Sequence, residues 1–301
     1  MNTDPKTNPE NPFLKFKARS LIIGCLLISL AISFVLGRFA GFSRFNPKDP
    51  IFAPIIYNLT FILLSAWAIK RLRYLHLDLK RLIGQLPNRY PWLPTLGIVI
   101  AILLFSLGSG QLFYYVLSLF NPSLVESLLN QKTFYSGSET FSPILYNLLM
   151  VFTVLVVAPV TEEFLFRGIL LHRWTTKWGV TPTLIISSIL FGLLHANIIG
   201  LFVFGLMMAL LYIKTRTLIV PIICHSLNNL AAIGLELASM SSSTTESINT
   251  LTQLRTYWWV GIIYVALAAP WLFMFIYKSL PKQSSTMPYF INTHAITDKY
   301  K

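Results

Sequence analysis

Long apolar runs separated by short polar segments dominate the hydropathy pattern of this chain. A helix needs about 20 apolar residues to cross the hydrocarbon core of a bilayer. Runs of this kind predict about eight spans, at residues 20–37, 51–69, 92–118, 143–172, 181–199, 200–214, 218–239 and 256–279. The pattern therefore predicts an all-α fold, a polytopic bundle of transmembrane helices.

Polar stretches flank this predicted transmembrane domain, which extends over residues 20–279. Residues 1–19 are polar and proline-containing, so we expect a disordered tail there, and residues 280–301 form a second polar tail. Between the second and third runs, leucines recur at helical spacing among basic residues. Residues 70–90 are therefore predicted to form an amphipathic helix on the inner membrane face, with a continuation of the second span as the alternative.

The composition agrees with a membrane protein, because 54% of the residues are hydrophobic, 12% are charged and the mean hydropathy is +0.63. The net charge of +13 would also suit a nucleic-acid partner. With the N-terminus inside, however, 18 Lys and Arg fall on inner segments and five on outer loops. This asymmetry follows the positive-inside rule, so it predicts inner termini and contact with membrane lipids, and no nucleic-acid partner.

The two cysteines, Cys25 and Cys224, each lie within an apolar run. This placement argues against a disulfide framework, and the pair lacks metal-ligand spacing. For the whole chain we expect a multi-pass integral protein of the cell membrane.

Adjacent carboxylates in the fourth span are the least expected feature, since the chain has only 11 Asp and Glu. A charged side chain at bilayer depth costs ~2.5–3.5 kcal/mol on insertion scales. Glu163 and Arg167 have the i,i+4 spacing of a helical ion pair. Glu162 is rotated about 100° around the helix from Glu163, so it needs another partner. A buried carboxylate without a cation is a candidate general base.

Two further spans carry polar groups that lipid does not tolerate. His195 follows Phe191 by one helical turn, and His225 and Asn229 share one face of the seventh span. In one interpretation, Glu162 and His195 activate a water while His225 and Asn229 stabilise an oxyanion. In the other, Glu162, His195 and His225 form a zinc site with an open position. Each group alone is also compatible with a structural role in helix packing.

Three motifs in this order resemble those of the type II CAAX prenyl endopeptidase family, also called CPBP intramembrane proteases. They are Glu162-Glu163-x-x-x-Arg167, Phe191-x-x-x-His195 and His225-x-x-x-Asn229. The resemblance covers about residues 145–235, and the chain does not depart from any of the three motifs. We place the protease-like core at residues 143–239.

The resemblance implies an intramembrane endopeptidase that acts on a membrane-associated or lipidated peptide. It implies Glu162 as the base, His195 as the group that positions water, and His225 with Asn229 as the oxyanion-stabilising pair. Glu163, Arg167 and Phe191 are implied as supporting residues. A glutamate-activated water without a metal is the favoured mechanism, and zinc remains the alternative cofactor.

Two alternative functions remain open at this level. One is a catalytically idle membrane scaffold or bacteriocin-immunity protein, and the other is a proton-coupled transporter that uses the Glu and His groups as a relay.

The depth of each site residue in the membrane, counted along its span, sets a structural condition for a shared site. Glu162, His195 and His225 reach one depth if the fourth helix extends past Trp174 or the helices tilt, so the sequence predicts a long, tilted fourth helix.

Overall fold

The computed structural model describes residues 11–43, 46, 48–131, 133–135, 139–242, 250–281 and 285–297, and within these ranges every regular element is helical. The helices in chain order are α1 (Arg19–Ser43), α2 (Phe52–Tyr74), α3 (Leu79–Ile83), α4 (Trp92–Phe120), α5 (Pro122–Leu129), α6 (Pro143–Trp178), α7 (Val180–Leu193), α8 (Ile198–Thr215), α9 (Ile219–Ser242), α10 (Thr250–Thr256), α11 (Trp258–Ser279) and α12 (Pro288–Thr297). The predicted all-α membrane bundle is confirmed.

Seven of the described helices are long and apolar enough to cross a membrane: α1, α2, α4, α6, α8, α9 and α11. The predicted fifth span, residues 181–199, is instead the helix α7 of 14 residues, followed by a turn. At about 1.5 Å per residue it extends only ~21 Å, less than the ~30 Å of a hydrocarbon core. The inner position of both termini stays a prediction from the charge distribution.

Helix α6 is the long fourth helix that the sequence predicted. It extends over 36 residues and passes Trp174 to end at Trp178. Two π-helical segments, Thr153–Val157 and Phe164–Leu170, interrupt its α-helical geometry. The short α-helical stretch Ala158–Glu163 between them carries both glutamates. Because π-helical turns are rare and concentrate at functional sites, this geometry draws attention to the same residues as the motif.

The N-terminal segment is ordered from residue 11, which corrects part of the predicted disordered tail. Pro12–Lys15 form a 3₁₀ helix, and the side chains of Phe13 and Phe16 are fully buried. The Phe13 ring stacks on His172 of α6 at 4.7 Å between centroids, and Arg173 Nε donates a hydrogen bond to the Phe16 carbonyl at 2.7 Å. Burial of these two aromatic side chains gives the segment enough apolar contact to be ordered, although its composition is mostly polar. Residues 1–10 of that prediction lie outside the described part.

The C-terminal segment also packs against the bundle through the helix α12. Met287 and Tyr289 are buried, and the Tyr289 ring meets Phe13 edge to face at 5.2 Å. The two chain ends therefore pack together against the end of α6. Residues 282–284 and 298–301 of the predicted polar tail lie outside the described residues.

The predicted amphipathic helix over residues 70–90 is wrong in its extent. Helix α2 continues to Tyr74, His76 adopts a positive φ of 57°, and only Leu79–Ile83 are helical again. Gly84, with φ +72°, then ends α3, and a Cβ there would lie 2.1 Å from the Arg216 carbonyl oxygen. Leu72 and Leu82 of this pattern are buried against the bundle, whereas Ile83 and Leu86 are 40% and 37% exposed.

Candidate active site

Glu163 lies at the centre of the buried polar cluster and is fully inaccessible to solvent. Arg167 Nη1 donates a hydrogen bond to Glu163 Oε1 at 2.9 Å, so the predicted i,i+4 ion pair forms. His225 Nδ1 lies 3.0 Å from the same carboxylate oxygen. Because a carboxylate only accepts hydrogen bonds, His225 donates through Nδ1. Glu163 thus links α6 to α9 through His225, and Arg167 of the same helix neutralises its charge.

Arg167 connects this carboxylate to two further helices. Its Nη2 donates to the Gly205 carbonyl oxygen of α8 at 2.8 Å, and its guanidinium lies 4.8 Å from the ring centroid of Phe191 on α7. The side chain is only 3% exposed. A buried guanidinium needs both a counter-charge and hydrogen-bond acceptors, and α6 and α8 provide them together.

Phe191 packs between the two histidines of the predicted site. Its ring stacks on that of His195 at 4.6 Å, and its centroid lies 6.2 Å from that of His225. His195 is half-buried, and its Nδ1 lies 2.6 Å from the Phe191 carbonyl oxygen. A carbonyl oxygen only accepts, so Nδ1 carries the proton and Nε2 is the acceptor atom of the neutral ring.

Glu162 has a partner that the sequence analysis missed. The Tyr57 hydroxyl of α2 donates a hydrogen bond to Glu162 Oε1 at 2.6 Å. Glu162 is 8% exposed, and its Oε2 has no hydrogen-bond partner among the described residues. Tyr57 is followed by Asn58 and Thr60, both buried. Three polar side chains in one apolar span indicate a helix face turned toward protein, which is the signal that could have drawn attention to α2.

Asn229 contacts the first π-helical segment of α6. Its Nδ2 donates to the Val154 carbonyl oxygen at 2.8 Å, and the neighbouring Ser226 hydroxyl donates to the Leu155 carbonyl oxygen at 2.9 Å. His225 and Asn229 share a face of α9 as predicted, but their described bonds go to different parts of α6. One amide hydrogen of Asn229 remains for another acceptor, since a primary amide has two.

The arrangement of donors bears on the zinc alternative. Among the described residues, no group of three His, Cys, Asp or Glu side chains is arranged to hold a metal ion. Glu162 is hydrogen-bonded to Tyr57, His195 presents Nδ1 to a backbone carbonyl, and His225 presents Nδ1 to Glu163. These bonds leave Glu162 Oε2 and Nε2 of both histidines without a described partner, so they do not by themselves exclude zinc. The three side chains are not grouped as metal ligands in this conformation.

The fold and the cluster define an integral membrane protein with a carboxylate–histidine site buried among its helices. Residues 144–231 match the family model described as type II CAAX prenyl endopeptidase Rce1-like. This segment lies within the predicted core at residues 143–239 and contains every residue of the three motifs. The resemblance to this peptidase family is therefore confirmed over that segment, whereas Tyr57 lies outside it.

Two curated relatives match parts of the chain. The Bacillus subtilis (strain 168) protein named "Putative membrane peptidase YdiL" is 32% identical over 92 residues, which are 30% of this chain and 38% of the relative. An Escherichia coli protein named "Uncharacterized 24.3 kDa protein" is 28% identical over 152 residues, which are 48% of this chain and 63% of the relative. The matches thus span less than two thirds of either relative. No solved structure gives a significant match.

Proposed function

We propose that this protein is an intramembrane peptidase that hydrolyses a peptide bond in a membrane-associated or lipidated substrate with a water activated by Glu162. The observation that carries the proposal is the asymmetry between the two buried glutamates. Both glutamates have an Oε2 atom without a described hydrogen-bond partner, but Glu163 is fully buried and paired with Arg167. Glu162 has the neutral Tyr57 hydroxyl as its described partner and is 8% exposed. A buried carboxylate oxygen with unused acceptor capacity can take a proton from water.

The reaction begins with that proton transfer. Water gives a proton to Glu162 Oε2 as its oxygen attacks the carbonyl carbon of the scissile peptide bond, and His195 Nε2 orients the water by accepting its second hydrogen. Tyr57 holds the other oxygen of Glu162 in place. The carbonyl π bond opens, and a tetrahedral oxyanion forms.

Collapse of this intermediate completes the hydrolysis. The free amide hydrogen of Asn229, together with Nε2–H of a protonated His225, stabilises the oxyanion before the carbonyl re-forms. The C–N bond then breaks as Glu162 returns its proton to the leaving amine. The products are a carboxylic acid and an amine, and Glu162 is again ionised. Glu163 supports this step because its carboxylate accepts the hydrogen bond from His225 Nδ1 and so orients the ring.

The proposed mechanism uses no metal, and the support for this is that Glu162, His195 and His225 are not grouped as metal ligands among the described residues. The test is hydrolysis of a fluorogenic prenylated peptide and of its unprenylated control by the full-length protein in detergent, with and without a chelator. We expect cleavage of at least one peptide, at the same rate with and without the chelator. Loss of cleavage on chelation, with recovery on adding zinc, would contradict the metal-free mechanism. If neither peptide is cleaved and cells that carry Glu162→Gln show no accumulated precursor, the scaffold interpretation replaces this proposal.

Substitution of Tyr57 by phenylalanine is expected to lower kcat about tenfold or more while KM changes little. The change removes the hydroxyl that holds Glu162, and a hydrogen bond to a charged group is worth ~1.5–3 kcal/mol. Steady-state kinetics on the cleaved peptide measure both constants. Tyr114→Phe removes a half-buried hydroxyl in α4 and serves as the matched control. An equal fall of kcat in both variants, or a rise of KM alone, would contradict a positioning role for Tyr57.

A further inference from the structure

A cavity lies away from the carboxylate–histidine cluster, between α4, α8 and α11. It has a volume of about 1020 Å³, at the upper end of the ~300–1,000 Å³ that is usual for ligand sites. Four of its lining residues are basic: Lys80, Lys214, Arg216 and Lys278. None of the lining residues is acidic, and none belongs to the three motifs. The cavity is therefore a separate, cationic site within the described part of the chain.

The basic end of this cavity is fixed by backbone hydrogen bonds. Leu218 N donates to the Ile83 carbonyl oxygen at 2.7 Å, which ties the segment after α3 to the turn between α8 and α9. The Asn292 amide of α12 donates to the carbonyl oxygens of Arg81 at 2.8 Å and Arg216 at 3.0 Å. Gly84 packs directly against the Arg216 backbone. The loops that carry Lys80 and Arg216 are thus held in one arrangement.

The opposite wall of the cavity is apolar and is formed by residues of α11 that come after a proline. Pro270 lies inside this helix and has no N–H for the carbonyl one turn before it, a position at which helices bend. Every α11 residue that lines the cavity comes after Pro270, beginning with Trp271. Earlier in α11, Gly261 packs so closely on Gly108 of α4 that a Cβ would lie 2.8 Å from its carbonyl oxygen. The two helices therefore touch at one end and leave space at the other.

The charged and apolar parts of the cavity meet at Lys214. Its Nζ lies 4.9 Å from the ring centroid of Phe275, at the boundary between the basic end and the aromatic wall. Trp271 and Met274 continue that wall and are 67% and 44% exposed on the outside of the bundle, where a membrane protein meets lipid. A ligand that complements this surface has an anionic head and an apolar tail.

We propose that this cavity binds an anionic phospholipid of the surrounding membrane. Its phosphate lies among Lys80, Lys214 and Lys278, and an acyl chain extends along the wall formed by Trp271 and Phe275. The four cations have no acidic neighbour among the lining residues, so they complement an anion, and the exposed apolar wall gives a lipid direct lateral entry. The proposal does not depend on the peptidase activity.

The test counts lipids bound to the full-length protein. The protein is extracted in mild detergent from bilayers with equal amounts of phosphatidylglycerol and phosphatidylcholine, and it is then titrated with each lipid. Native mass spectrometry counts the lipid molecules bound. The triple substitution Lys80→Gln, Lys214→Gln and Lys278→Gln is expected to weaken phosphatidylglycerol binding by at least about tenfold, since each cation near an anionic lipid contributes about fivefold. All three side chains are exposed, so the fold should persist.

A charge-matched control separates this site from general attraction to an anionic surface. Lys15, Lys17 and Lys70 are also exposed and do not line the cavity. Their replacement by glutamine should leave the tight phosphatidylglycerol site unchanged. An equal loss in both triple variants would overturn the proposal, because the attraction would then be diffuse.

A second variant tests the apolar part without changing any charge. A Cβ on Gly97, which lines the cavity, meets nothing within 4 Å, so Gly97→Phe fills the space that the acyl chain needs. Gly37→Phe in α1 is the matched control, since that position is open as well. We expect Gly97→Phe alone to weaken phosphatidylglycerol binding several-fold. Unchanged binding, or displacement of the lipid by inorganic phosphate or by a prenylated peptide with a free carboxylate, would overturn the phospholipid assignment.

Discussion

Replacing Glu162 by glutamine is expected to lower the rate of peptide hydrolysis by about 10²–10⁴-fold, the range that a general base contributes. Glutamine keeps the shape of the side chain, and its carbonyl oxygen still accepts the hydrogen bond that Tyr57 donates to Glu162 Oε1. It removes the negative charge and the acceptor that takes a proton from water at Oε2. The variant should therefore fold and insert, bind substrate and fail to cleave it.

The measurement is cleavage of the fluorogenic peptide by purified wild-type and variant proteins, with thermal unfolding recorded for each. Glu126→Gln removes a charge from an exposed glutamate of α5 and is the matched control. It should keep full activity. Cleavage by Glu162→Gln at more than about a tenth of the wild-type rate, well above the range for a lost base, would refute Glu162 as the base.

Replacing Arg167 by methionine is expected to destabilise the protein by about 3–5 kcal/mol, because removal of one partner leaves a buried charge without compensation. Glu163 is fully buried and would keep only its bond to His225. The Gly205 carbonyl oxygen would lose its donor as well, and the contact between α6 and α8 would weaken. The free energy of unfolding in mixed detergent, measured for wild type and variant, gives the cost.

Two further proteins make this result specific to the buried pair. Arg81→Met breaks the solvent-accessible i,i+3 pair with Asp78, so it should cost at most about 1 kcal/mol. The double variant Glu163→Gln with Arg167→Met removes both charges and should recover part of the lost stability. Similar costs for Arg167→Met and Arg81→Met would show that the buried ion pair does not stabilise the fold in the way proposed.

The sequence predicted the buried ion pair of α6 correctly because its geometry is local. The i,i+4 spacing of Glu163 and Arg167 places both side chains on one helix face, and the pair forms at 2.9 Å even though Arg167 lies within a π-helical segment. Because ionisable side chains are costly to expose to lipid, the sequence also predicted that Glu162, His195 and His225 face the interior of the bundle. Their catalytic roles stay a prediction until the variants are measured.

Other parts of the site depend on helices that are far apart in the sequence. Tyr57 reaches Glu162 across 105 residues, and Arg167 reaches the Gly205 carbonyl oxygen across 38. Periodicity along a single helix indicates which face is buried but not which neighbouring helix covers it. The composition also predicted a disordered tail where Phe13 and Phe16 are in fact buried. This prediction failed for the same reason, since the rings that Phe13 contacts belong to α6 and α12.

By itself, the sequence determined the membrane class, the helical architecture, the long fourth helix and the family resemblance over the three motifs. All of these follow from apolar run length, charge cost and residue spacing within single segments. Only the tertiary structure decided that the predicted fifth span is a helix of 14 residues, that Tyr57 contacts Glu162, and that a cationic cavity lies beside the part of α11 after Pro270. These features arise from contacts between distant segments, and the free energy of such contacts depends on packing that no local pattern encodes.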